Sequence, residues 1–134
     1  IDTRVYDPSK LGRVIGQEEM RKAQLEMLDI FADFCEKHNL VYYLSGGTLL
    51  GAVRHKGFIP WDDDIDVNMP RPDFERLLEL TNHRLNDHIE IAAPLTKVSH
   101  AVSFPRIYDT RYILHSSSKD GKAAYYTNLF VDIF

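Results

Sequence analysis

Four of the 20 acidic residues in this chain fall within five positions, as Asp62, Asp63, Asp64 and Asp66. The segment Asp64-Ile-Asp-Val-Asn-Met69 alternates polar and apolar residues, the pattern of a strand with two chemically different faces. On such a strand Asp64 and Asp66 project to one side while Ile65 and Val67 enter the core. Two carboxylates held that close raise each other's pKa unless a cation lies between them. Oxygen-only ligands suit Mg²⁺ or Mn²⁺. Zinc is disfavoured, because there is one cysteine and the six histidines lack zinc-type spacing. An isolated Asp-x-Asp reads equally as a solvated acidic loop. What favours chemistry here is the company it keeps: Pro60 and Trp61 before the cluster, Ile65 and Val67 within it, and a small-residue turn upstream.

That turn is Ser45-Gly46-Gly47-Thr48. Two glycines let backbone N–H groups approach an anion closely, and a helix N-terminus following them adds a positive dipole. The hydroxyls of Ser45 and Thr48 can donate to phosphate oxygens. Standing alone it is also an ordinary strand-to-helix turn, and it is not a P-loop, since Gly-x-x-x-x-Gly-Lys-Ser/Thr is absent. Asp132 is the candidate third acid. It interrupts the apolar run Phe130-Val-Asp-Ile-Phe134, where a lone carboxylate is costly without a partner or a metal, unless the strand is an edge with Asp132 facing water. If this strand neighbours the Asp64 strand, three acids converge on one face, as two-metal phosphoryl transfer requires. Arg54, His55 and Lys56 form a short basic run between the turn and the acids, either neutralising a diphosphate or simply solvated. Phe58 and Trp61 offer apolar faces to a base or a choline-like cation, with core packing as the plainer role.

These residues need elements to position them. Met20, Ala23, Met27, Ile30, Phe31 and Phe34 recur at helical spacing, predicting an amphipathic helix over Gln17 to His38 that stops at Asn39. Leu40 to Leu44 reads as a buried strand, and Thr48 to Arg54 as a short helix capped by Thr48. A loop over 55–61 leads to the Asp64–Met69 strand, which Pro70 ends. Asp73 to His83 forms a second amphipathic helix on Phe74, Leu77, Leu78 and Thr81. Ile89–Ala93, Ala101–Ile107, Arg111–His115 and Leu129–Phe134 are candidate strands, with a polar turn over Ser116 to Gly121. The expected fold is α+β, one mixed sheet flanked by helices.

A chain of 134 residues with 44% hydrophobic and 27% charged residues carries a core without needing disulfides or metals to stay folded. Its net charge of −4 argues against gripping nucleic acid by bulk charge, and no apolar run is long enough for a transmembrane segment. The single Cys35 cannot form an internal disulfide and fits a reducing compartment. Residues 1–16 read as a leader and 17–134 as the domain. The start at Ile1 and the apolar end at Phe134 suggest the N-terminal part of a longer protein.

The stretch from Tyr43-Leu-Ser-Gly-Gly-Thr through His55-Lys-Gly-Phe-Ile-Pro-Trp-Asp-Asp-Asp-Ile-Asp-Val-Asn-Met-Pro-Arg71 resembles the signature of the LicD family, which includes fukutin and the fukutin-related protein. The resemblance reaches back through the helix from Glu18 to Asn39 and forward through Asp73-Phe-Glu-Arg76. Val131-Asp-Ile-Phe134 resembles a later block of the family, and about 85–128 matches loosely. It implies a nucleotidyltransferase-like fold used as a phosphotransferase. Such an enzyme moves a phospho-alcohol, phosphocholine or an alditol phosphate, from CDP-choline or a CDP-alditol to a hydroxyl of a cell-surface glycan acceptor. Carried over by position, Ser45, Gly46 and Gly47 match the phosphate turn, Asp64 and Asp66 the paired metal ligands, Asp132 the third acid, which shares a second metal ion and accepts the proton of the attacking hydroxyl, and Asp62 a supporting acid. The implied location is cytoplasmic, at the membrane surface where the acceptor is lipid-linked.

Rival readings fare unequally. A metal-dependent glycosyltransferase also uses Asp-x-Asp with a nucleotide-sugar, but the glycine turn and the third acid fit it less well. An EF-hand would need Gly at Val67 and Glu at Asp73. A haloacid-dehalogenase-type phosphatase would need Thr or Val at Asn68. A non-catalytic nucleotide-binding domain of the same fold is the remaining alternative.

Overall fold

The computed structural model describes residues 15–59, 64–92, 104–117 and 124–134. Most of the expected leader, together with Trp61 and Asp62, lies outside the described residues. The elements run α1 (Gln17–Lys37), β1 (Tyr43–Leu44), α2 (Gly46–Arg54), β2 (Asp66–Asn68), α3 (Arg71–Thr81), β3 (Ile89–Ala92), β4 (Arg106–Ser117) and β5 (Ala124–Ile133). The five strands form one mixed sheet in the order β1-β2-β5-β4-β3. The pair β2/β5 is parallel and the other three pairs are antiparallel. This is the α+β class expected.

The helical period explains how α1 packs. Ala23, Met27, Phe31 and Cys35, each four residues on from the last, are buried in one stripe. The helix ends as Asn39 takes φ 55°, while the Leu40 N–H returns to the Cys35 carbonyl at 2.8 Å and the Asn39 N–H to that of Glu36 at 3.4 Å. Phe74 and Leu77 of α3 join the same core. From the sheet, Ile65, Val67, Ile89, Ile91, Ile107, Leu129, Val131 and Ile133 face these helices. Strand alternation then places Asp66, Arg106, Phe130 and Asp132 on the opposite face.

Several boundaries differ from the sequence expectation: α2 starts at Gly46 rather than Thr48, β2 is confined to Asp66–Asn68, and β5 starts at Ala124 rather than Leu129. Arg111–His115 and the end of Ala101–Ile107 belong to one strand, β4, whose register shifts between Asp109 and Ile113. The shift reflects Asp109, fully buried beneath the sheet, where its carboxylate accepts from the Arg111 Nε (3.1 Å), NH2 (2.9 Å) and backbone N–H (3.0 Å). A buried acid demands that partner, and the irregularity turns Arg111 back to supply it. Strand β1 is only two residues long and Tyr43 is 61% exposed, because β1 is an edge strand rather than a buried one. Helix α3 starts at Arg71, since Pro72 is well tolerated in a first turn, and it ends at Thr81 where Asn82 turns left-handed.

Burial and the neighbouring Asp73 charge push the Cys35 thiol up to about 12 from an ordinary 9.0. A raised folded-state value means that the unfolded chain loses the proton first. Stability from this group is therefore complete below pH 9 and lost as pH rises through about 12. Native protein is expected to leave Cys35 unmodified by a thiol reagent at pH 8 and to show a falling melting temperature above pH 9, a fall that Cys35→Ala reduces. Rapid labelling of the native thiol would contradict this.

Candidate active site

The site is assembled across neighbouring strand ends. In the parallel β2/β5 pair Asp66 is opposite Asp132, and in the β5/β4 pair Asp132 is opposite Arg106. Asp66, Asp132 and Arg106 thus form one row on the face away from the core, and the Ser45 N–H bonds the Asp66 carbonyl (3.0 Å) at the row's end. The register is fixed by ladder bonds from Asp132 N–H to the Ile65 carbonyl (3.0 Å) and from Phe134 N–H to the Val67 carbonyl (2.8 Å). Asp64 is exposed and Asp66 half-buried, whereas Asp132 is only 7% exposed.

Burial pushes the Asp132 carboxyl above its ordinary value. The Arg106 hydrogen bond and charge pull it down, and the Asp64 charge adds to the upward push. Arg106 Nε bonds Asp132 Oδ1 at 2.5 Å, and its guanidinium lies 3.7 Å from the Phe130 ring centre and 5.5 Å from that of Phe104.

Gly46 opens α2 with φ +51°, a backbone conformation that L side chains rarely adopt. A Cβ at this position would stand 3.4 Å from Asp66 Oδ2, so the missing side chain brings the first turn of α2 against that carboxylate. The expected cap is corrected here. Ser45 occupies the N-cap position of α2, and Thr48 sits inside the helix. The Thr48 hydroxyl accepts the Asp66 N–H at 2.8 Å and lies 3.5 Å from the Asp64 carbonyl, tying α2 to the start of β2.

The basic run divides. Lys56 lines a cavity of about 470 Å³ together with Gly47, Thr48, Asp64 and the apolar Leu25, Leu28, Phe58 and Ile59. Arg54 and His55 are exposed at the far end of α2, about 12 Å from Gly46 by helical rise. They stand apart from the cavity lining, with Arg54 Nε bonded to His55 Nδ1 at 3.3 Å. The Phe58–Ile59 loop is held on α1 by Arg21, whose guanidinium covers the Phe58 ring at 5.2 Å and reaches the Ile59 carbonyl at 3.4 Å.

Asp64 and Asp66 give oxygen donors suited to a hard cation. Among the described residues no three His, Cys, Asp or Glu side chains gather into a ready-made metal cage, so Asp64, Asp66 and Asp132 do not by themselves form one.

The LicD/FKTN/FKRP nucleotidyltransferase domain model matches residues 39–134. The chain belongs to the LicD family. It is 35% identical over 114 residues to the lipopolysaccharide cholinephosphotransferase LicD of Haemophilus influenzae, covering 84% of this chain and 43% of that protein. A 28-residue stretch is 57% identical to the human ribitol 5-phosphate transferase FKRP, 21% of this chain and 6% of that one. Another relative, mannosyltransferase regulator 4 of Saccharomyces cerevisiae, is 29% identical over 85 residues, 63% of this chain and 7% of that protein. The LicD-family chain thus spans less than half the length of these curated relatives. Among its described residues no helix is long and apolar enough to cross a membrane.

Arg106 was not singled out from the sequence of this LicD-family chain. The one available signal was a basic residue heading an otherwise apolar and aromatic strand, Phe104-Pro-Arg-Ile-Tyr108.

Proposed function

We propose that this LicD-family domain is the donor-binding and catalytic part of a phosphotransferase that moves a phospho-alcohol from a CDP-linked donor to a glycan hydroxyl. The observation that carries the reading is the cross-strand row of Asp66 and Asp132, with the N-terminus of α2 packed against Asp66. Relatives named as a cholinephosphotransferase and a ribitol 5-phosphate transferase support this kind of transfer.

In this reading Asp64 and Asp66 hold Mg²⁺ (or Mn²⁺), whose contribution when bound is to neutralise the donor diphosphate and orient it. The amides of Gly46 and Gly47, at the positive end of α2, hold phosphate oxygens. Lys56 faces the same cavity and adds charge to the leaving group. Arg54 and His55, farther along α2, serve long-range attraction of the anionic donor. The remaining Asp132 oxygen accepts the proton of the attacking sugar hydroxyl. That hydroxyl oxygen bonds to the phosphorus bearing the alcohol, the P–O bond to CMP breaks, and CMP leaves with the electron pair. The apolar cavity wall of Leu25, Leu28, Phe58 and Ile59 takes the least polar part of the donor. We place the reaction in the cytoplasm, at the membrane surface where the acceptor is lipid-linked.

The test is to incubate the full-length protein with glycan acceptor, Mg²⁺ and, separately, CDP-choline, CDP-ribitol and nucleotide-sugars. Acceptor-dependent CMP release from a CDP-alcohol is expected, and nucleoside diphosphate release from a nucleotide-sugar alone would point to a glycosyltransferase instead.

A further inference from the structure

The acid row contains its own cation. Arg106 sits one strand along from Asp132, directly opposite it in register, as Asp66 is on the other side. Its Nε is 2.5 Å from Asp132 Oδ1, and the two side chains are only 16% and 9% exposed. The guanidinium carbon lies 3.7 Å from the Phe130 ring centre and 5.5 Å from that of Phe104, so its position is set by packing as well as by charge. A guanidinium remains protonated at every accessible pH, so this cation is permanent.

Asp132 is already paired with the Arg106 cation inside a largely buried contact. A second ion on Asp132 would have to displace Arg106 from a buried, stacked position or share a carboxylate with it at close like-charge contact.

We infer that Arg106 is a positioning residue that takes the place of a second metal ion, committing Asp132 to its guanidinium and leaving Asp64 and Asp66 to bind a single divalent cation. This rests on the reading of Asp64 and Asp66 as metal ligands. The consequence is a one-ion site in which Asp132 is a held base rather than a ligand.

The experiment is Mn²⁺ binding to the protein in the presence of CDP, with free ion counted by electron paramagnetic resonance. The wild type is expected to bind one Mn²⁺ per chain. Asp132→Asn, which preserves shape, is expected to keep that stoichiometry with affinity changed by no more than about threefold, under 1 kcal/mol. Arg106→Met, checked for folding by its melting curve, is expected to gain a second ion, and Arg106→Lys to stay at one. Two ions in the wild type, an affinity loss of about tenfold or more in Asp132→Asn, or a folded Arg106→Met variant that gains none, would each overturn the inference while leaving the metal reading standing. No bound ion at all would overturn the metal reading and this inference together. If Arg106→Met does not fold, the Asp132→Asn affinity decides.

Discussion

Asp66→Asn and Asp64→Asn are each expected to lower Mg²⁺-dependent CMP release by about a thousandfold or more, the scale of losing electrostatic stabilisation at a transferring phosphoryl group. The substitution keeps the size of the side chain and removes the charge that holds a hard cation. Asp64 is exposed and Asp66 is half-buried, and neither belongs to the buried core. The backbone bond from Asp66 N–H to Thr48 Oγ1 is untouched. A cooperative melting curve for each variant separates lost chemistry from a lost fold. Activity above a tenth of wild type in both variants, at saturating Mg²⁺, would refute the assignment.

The second large effect is on stability. In an ordinary helix interior Gly→Ala stabilises by about 1 kcal/mol. At Gly51, inside α2, the opposite sign is expected. A Cβ here would overlap the carbonyl oxygen of Gly57 and stand 3.2 Å from the Ile59 backbone nitrogen, and backbone cannot swing aside as a side chain end can. The same Gly51 carbonyl accepts from His55 (2.8 Å) and Gly57 (3.2 Å), so helix end and loop are locked together at this point. Gly51→Ala should destabilise by about 1–3 kcal/mol, the range of overpacked cores. By displacing the 56–59 loop it should also weaken donor binding at the cavity that Lys56 and Phe58 line. Gly57→Ala provides the contrast, because its added Cβ meets nothing within 4 Å, and it should fall within about 0.5 kcal/mol of wild type. Urea unfolding of the two variants checks both signs.

Much of this molecule is legible along the chain because the relevant physics is local. The four-residue spacing of Ala23, Met27, Phe31 and Cys35 dictates a helix with one buried stripe, and Asn39 ends it through a left-handed turn. The alternation around Ile65 and Val67 marks a strand with acids on its far face. Gly46 and Gly47 announce a tight entry into a helix, and the extended stretch around them is specific enough to identify the LicD family. Local pattern misled most clearly where a distant partner intervened. Thr48 reads as a cap from its neighbours, but the open Asp66 N–H across the turn claims its hydroxyl. Ile107 and Arg111 read as the two ends of a break between strands, whereas one continuous strand bends around the buried Asp109 and its partner Arg111.

Which acids meet was a matter for the tertiary structure alone. Asp66 and Asp132 are 66 positions apart, and only the parallel pairing of β2 with β5 puts them side by side. A shift of one residue in that register would have turned Asp132 toward the core and an isoleucine or valine toward the acids. Arg106 enters through the same ladder, from a third strand, with aromatic rings from Phe104 and Phe130 holding it in place. The sequence by itself determined the kinds of groups available and the faces on which they stand, since helical and strand periods are local properties of the backbone. Tertiary structure decided their convergence and their charge balance, because strand register and burial depend on residues remote in the chain.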